Sequence, residues 1–322
     1  MPRALLILVR DRPGPPLPAT AWAIGRAALS LVGDVPIVFG QTVRDGLATG
    51  LRLEPDGSWT RAVEVPVGLV AMRFPRRSRP SPFLAALEGL RSATWPIPIV
   101  NALEFSDLAA DKVATQHALE SCVRMPEIEL DASAFPARVA QWGAAFLKPR
   151  FGSLGDGVRL LRPGDPIGRL DKDCLLQRAV PPPRGLAGLC LRVLVQREGR
   201  GWTVPPSVAR LSEDDPTVSV ERGARVAVAA DAVSPAALAA VESDAIAVAT
   251  RLGDQGPWDS EGVVEMGVDF VLDREDRPYV LEVNSIPRGR LAALAELDPR
   301  HRVHHEAAVR RPLARMLARL AC

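Results

Sequence analysis

Phe146 to Val158 reads FLKPRFGSLGDGV: Lys148 ends an apolar strand, and Gly152, Ser153, Gly155 and Gly157 form a loop that returns as a second strand. Glycines let a backbone approach a polyphosphate, the loop N–H groups act as donors, and the lysine supplies a point charge. This is not a Walker A loop, which needs G-K-[ST] entering a helix. A glycine hairpin alone is also an ordinary turn, so the lysine ahead of it is what points to phosphate. A second constellation is GVDFVLDREDRPYVLEVNSIP at 267–287. Strand alternation puts Glu282 and Asn284 on one face, packs Leu281 and Val283 on the other, and sets Asp269 on the partner strand of a hairpin. Two carboxylates and a carboxamide, completed by water and phosphate, are the hard oxygen donors that Mg²⁺ on a nucleotide requires. The competing explanation is a surface hairpin with acids on its wet face.

Composition sharpens both signals. Only three of the 40 basic residues are lysine (Lys112, Lys148, Lys172), and Asn101 and Asn284 are the two asparagines. Where arginine is the background cation, a lysine marks a position for which a planar fork does not serve. With 40 basic and 38 acidic residues, the net charge of +2 removes the electrostatic case for a nucleic-acid binder. Cys122, Cys174, Cys190 and Cys322 show no C-x-x-C spacing, which excludes a zinc or disulfide framework and makes the cytoplasm the expected compartment. The apolar run Ala4 to Val9 is too short for a signal peptide, and no stretch is long enough to span a membrane.

The elements that must position these residues read as an α/β (α+β) chain of 322 residues, long enough for two or three units. Residues 1–104 open strand-helix-strand, implying a parallel sheet, with a hairpin at Asp56-Gly57 and a basic stretch carrying Arg73, Arg76, Arg77 and Arg79. Residues 105–174 begin with one helix capped by Ser106 and hold the glycine-rich lid. Residues 175–322 hold strands, an irregular region around Arg210 and SVERGARV, a helix from Pro235 to Leu252, the acidic hairpin and a helical tail. The tail histidines His301, His304 and His305 read as a solvated helix face, and the six tryptophans as core or loop anchors.

In order along the chain, DK at 111–112, LKPRFGSLGDGV at 147–158, LLQRAV at 175–180, Arg192, Arg210, ERGARV at 221–226, and Asp269 with EVNSIP resemble the ATP-grasp superfamily, and within it the RimK-type amino-acid ligases. The resemblance covers about residues 105–290 and implies an ATP-grasp fold behind an N-terminal parallel-sheet domain. It implies that Lys112 and Lys148 contact the phosphates, that Gly152, Ser153, Gly155 and Gly157 cover them, and that Gln177, Arg178, Ala179 and Val180 hold adenine. Asp269, Glu282 and Asn284 would bind two Mg²⁺, with Mn²⁺ as an alternative ion. Three positions depart from the family pattern: Arg178 replaces an acid, Cys190 an aspartate, and Ser219 lies where an asparagine is usual.

The implied reaction joins a carboxylate to an amine, such as glutamate, through an acyl-phosphate, with ADP and phosphate as co-products. Arg192, Arg210 and Arg288 would offset the charge of an attacking carboxylate, and no enzyme nucleophile is needed. Cys190 reads as a small core residue and the basic stretch Arg73 to Arg79 as a place for an anionic acceptor. An ATP-grasp phosphotransferase, a natural-product peptide ligase and a non-catalytic nucleotide binder remain open, as does a homo-oligomer.

Overall fold

The computed structural model describes residues 3–8, 24–25, 27, 30–31, 35–72, 81–152, 155–170, 173–218, 223–258, 262–287 and 291–321. Ser153, Lys172, Ser219, Arg288, the stretch Arg73 to Arg79 and most of the helix expected before residue 34 lie outside them. The first unit contains β1 (Ala4–Leu8), β2 (Ile37–Arg44), β3 (Leu47–Leu53), β4 (Trp59–Met72), α1 (Ser81–Arg91) and β5 (Ile99–Val100). β1 pairs in parallel with β2 and with the second half of β4, which pairs in parallel with β5. β3 and the first half of β4 form the hairpin around Asp56-Gly57, where Gly57 takes a φ of 84°. The unbroken apolar run of β1 follows from burial on both faces. Leu5 and Ile7 pack with Leu313, Met316 and Leu317, while Ala4, Leu6 and Leu8 pack with Leu87 and Leu90 of α1.

Next come α2 (Leu103–Ala110), α3 (Lys112–Leu119), β6 (Ile128–Glu129), α4 (Phe135–Trp142), β7 (Ala145–Pro149), β8 (Arg159–Leu161) and β9 (Cys174–Arg178). The helix expected to run unbroken from Ser106 is two helices. Asp111 caps the second by accepting from the N–H groups of Val113 (3.0 Å) and Ala114 (3.3 Å), and Ser106 is buried inside the first. Aspartate favours a cap over a helix interior because its side chain competes for backbone donors. The four strands order as β6-β9-β7-β8, so β9 belongs with the lid hairpin. α4 covers one face, where Phe135 and Val139 meet Ala145, Leu147, Leu161 and Leu176. Phe146, Lys148, Leu175 and Gln177 therefore fall on the opposite face.

The last unit holds β10 (Gly188–Glu198), β11 (Gly201–Thr203), β12 (Val208–Ser212), β13 (Arg225–Val228), α5 (Pro235–Ala249), β14 (Glu265–Leu272), β15 (Pro278–Asn284), α6 (Leu291–Leu297) and α7 (Arg302–Ala321). The region expected to be irregular contains β12, whose pairing with β10 sets Arg210 directly opposite Cys190, and β13, which pairs β12. α5 buries Val241, Ala245 and Val248 against Leu191, Val193, Val195, Val268 and Phe270. The alternate residues Cys190, Arg192 and Asp269 consequently share the other face. α7 crosses back to complete the core of the first sheet. No helix among the described residues is long and apolar enough to cross a membrane.

Candidate active site

The site lies between the Lys148 face of the small sheet and the part of that large-sheet face left uncovered beside Leu194 and Val208, which pack against Leu291, Leu294 and Ala308. β14 and β15 put Asp269 opposite Glu282 and Gly267 opposite Asn284, the arrangement alternation requires for a shared face. The register slips beyond Asp269, where Phe270 pairs Val280 and skips Leu281. Val280 thus joins Val283 in the core in place of Leu281, which corrects the regular alternation expected there. Such a bulge costs one unpaired residue and re-aims the side chains beside it.

Register also supplies a partner that spacing could not. Arg192 on β10 pairs Asp269 on β14, and its Nε and Nη2 donate to Asp269 Oδ1 and Oδ2, the second at 2.6 Å. Arg210 Nη2 lies 3.2 Å from Asp269 Oδ2 and 2.8 Å from Cys190 Sγ. Both guanidiniums therefore hold an acid of the hairpin, a tether that their expected role toward a substrate carboxylate did not include. Burial would raise the Asp269 carboxyl, but the two guanidiniums outweigh it and hold the group below its usual range. Burial, and then the Asp269 charge, push Glu282 upward. Burial and the same carboxylate push the Cys190 thiol up to about 11, so it stays protonated, in keeping with a bystander role.

Across the cleft, Lys148 Nζ donates to Gln177 Oε1 at 2.5 Å. Burial lowers this ammonium to about 8 against the pull of Glu282, with Lys112 adding to the fall, so at neutral pH it keeps its charge. Lys112 opens α3 and donates from Nζ to Gly152 O at 3.0 Å, which brings the second lysine to the loop. Asp111 anchors the same junction through a two-pronged pair with Arg150, at 2.8 and 2.6 Å. Sequence reasoning missed this pair, although D at 111 adjoins Lys112 and R at 150 follows Lys148 by two residues. Gly155 and Gly157 take φ of 74° and 68°, which other residues adopt at a cost, and a Cβ on Gly157 would come within 2.9 Å of the Pro149 ring.

The expected adenine hinge is partly committed. The N–H groups of Arg178 and Ala179 donate to Glu127 O (2.9 Å) and Ala144 O (3.1 Å), so those two donors serve the sheet, while Val180 continues past it. Gln177 is buried, whereas the exposed Arg178 side chain pairs with Glu127 at 2.6 Å and points away from the cleft.

The donor set fits a divalent cation. Asp269 Oδ1 and Oδ2 each accept one N–H from Arg192, Arg210 lies 3.2 Å from Oδ2, and the Glu282 carboxyl is in hydrogen-bond contact with Asp269. Glu282 faces it, and Asn284 on the same face would offer its carboxamide oxygen, its Nδ2 being buried without a hydrogen-bond partner among the described residues. Among the described residues no three His, Cys, Asp or Glu side chains gather as a metal site, so such a cation would complete its shell from Asn284, phosphate and water.

Residues 167–314 match the family described as YheC/D-like ATP-grasp. Over nearly the whole length, the fold is that of solved ATP-grasp enzymes. D-cycloserine synthetase DcsG superposes at a TM-score of 0.67 with 16% identity, covering 98% of this chain and 100% of that one. The chain has the ATP-grasp fold. D-alanyl-alanine synthetase A from Vibrio cholerae aligns at a TM-score of 0.59 and 16% identity over 97% of this chain and 99% of that one. The VanG D-Ala:D-Ser ligase from Enterococcus faecalis aligns at 0.60 and 11% over 99% and 100%. No curated protein matches in sequence. The ATP-grasp architecture accounts for the two facing sheets: the small one carries Lys148 and the large one the acids.

Proposed function

We propose that the protein is an ADP-forming carboxylate–amine ligase that activates a carboxylate as its acyl-phosphate and joins it to an amine, an amino acid such as glutamate by the RimK-type resemblance. The observation that carries this reading is the opposition of Lys112 and Lys148 to the Asp269–Glu282 pair, cations facing paired acids across one cleft. ATP would lie between them, its phosphates against the lysines and the loop at Gly152, Gly155 and Gly157. Asp269, Glu282 and Asn284 would hold Mg²⁺, which when bound neutralises the β- and γ-phosphates.

A substrate carboxylate oxygen then attacks the γ-phosphorus, the bond to the β-phosphate oxygen breaks and ADP leaves. The amine attacks the acyl carbon, phosphate departs, and the nitrogen gives up its extra proton. Lys148 keeps its charge during this sequence, which offsets the meeting of two anions. Arg192 and Arg210 hold Asp269 ionised and fixed in place. Arg288, next in sequence after Pro287, would offset the charge of the incoming carboxylate.

Product identity tests the mechanism. Incubation with ATP, Mg²⁺, candidate carboxylates and amino acids should give one ADP and one phosphate per amide by nucleotide chromatography. AMP with pyrophosphate would overturn the reading even if an amide forms. Lys148→Ala should weaken ATP binding at least about tenfold, equivalent to ~1.4 kcal/mol. Calorimetry giving equal affinities for a folded Lys148→Ala and the unaltered chain would remove Lys148 from the phosphate site.

A further inference from the structure

Asn101 directly follows β5 of the first unit, and the ligase chemistry above makes no use of it. It is one of the chain's two asparagines and is 5% exposed. Its Nδ2 donates to Glu265 O at 2.7 Å and to the carbonyl oxygen of Ser285. Its Oδ1 accepts from the N–H groups of Val264 at 3.0 Å and Glu265 at 3.4 Å. Val264 and Glu265 lead into β14 ahead of Asp269, and Ser285 directly follows Asn284 on β15. The last rung between those strands is Gly267 with Asn284. Beyond it the two backbones are joined by this single carboxamide from another unit. The neighbouring Ala102 N–H donates to Gly262 O at 2.8 Å, so the contact is a seam rather than an isolated bond. From the far side, Gln196 Nε2 donates to Glu265 Oε2 at 3.0 Å and to Ala308 O at 2.6 Å. Two donors and an acceptor on one small planar group are what an asparagine provides, whereas an ionised aspartate has no donors and leucine has neither.

We infer that Asn101 is a positioning residue through which the N-terminal unit holds the open end of the Asp269–Glu282–Asn284 hairpin in the register that a nucleotide-bound divalent cation requires. The inference rests on the nucleotide reading proposed above. Packing alone would make Asn101 matter for stability; positioning makes it matter for the coupling between cation and nucleotide. Outer groups that orient metal ligands characteristically change metal affinity without touching the metal.

The test is ADP binding to the full chain by calorimetry, with and without Mg²⁺, well below the melting temperature. In the unaltered chain Mg²⁺ should tighten ADP binding. In Asn101→Ala that tightening should shrink about tenfold, while affinity without Mg²⁺ stays nearly unchanged. Met316→Ala, a core truncation between α7 and the first sheet, supplies a comparable loss of melting temperature and should leave the tightening intact. If Asn101→Ala is recovered unfolded, Asn101→Ser, which keeps one donor, takes its place; unfolding of both makes Asn101 a folding residue and overturns the inference. Unchanged tightening in a folded Asn101 variant, or an equal loss in Met316→Ala, overturns it while leaving the ligase reading intact. Absence of ADP binding by the unaltered chain overturns that reading and this inference together.

Discussion

Glu282→Gln should lower ADP release with substrate by at least about a hundredfold, the scale seen when one group stabilising transition-state charge is removed, while the melting temperature shifts by no more than a few degrees. Burial and the neighbouring Asp269 already raise the Glu282 carboxyl, so its neutral form is the one that costs the fold least. Glutamine is neutral, has the same shape, and can donate to Asp269 as a protonated glutamate does. The resting structure should hardly notice the change. A divalent cation on ATP would notice it fully, because a carboxylate ligand becomes a carboxamide in a site whose third donor, Asn284, is already neutral. A folded Glu282→Gln protein that releases ADP at the unaltered rate would remove Glu282 from the chemistry.

Asp269→Asn should behave in the opposite way and cost stability as well as turnover. Arg192, with a side chain 11% exposed, and Arg210, at 10%, both pair with this carboxylate, and asparagine leaves two buried guanidiniums side by side without their paired counter-charge, with only Glu282 nearby. Breaking a buried ion pair by removing one partner costs about 3–5 kcal/mol, readable in urea denaturation. The pH dependence has a definite sign. The native carboxyl sits below its unfolded value of about 3.9, so the unfolded chain binds the proton first and the stabilisation is lost as pH falls through the native value. That acid-side loss should become shallower in Asp269→Asn. Replacing Asp269, Arg192 and Arg210 together by apolar residues of similar size should recover most of the stability without recovering activity. An Asp269→Asn protein as stable as the unaltered chain would show that the triad contributes no net attraction.

Much of this was legible in local pattern. Strand alternation alone places Glu282 beside Asn284, because side chains two residues apart point the same way in any strand. The glycines at 155 and 157 and the turn at Gly57 follow from backbone permissiveness, which is a property of the residue itself. The two asparagines, with Lys112 and Lys148, picked out by rarity, led to the lysine side of the site, to a candidate metal ligand and to Asn101, while Lys172 lies outside the described residues. What local pattern could not supply was register across distant strands. Arg192 meets Asp269 from 77 residues away because β10 and β14 are neighbours in one sheet, and nothing in either strand names the other. The skipped Leu281 is equally invisible in sequence, since the pairing of β15 with β14 decides where the bulge falls. Asp111 breaks a helix that periodicity would continue, held there by Arg150 just past the end of β7. The sequence by itself determined which residues face together within each element; the tertiary structure decided which elements meet, because their contacts depend on burial and register summed over the whole chain.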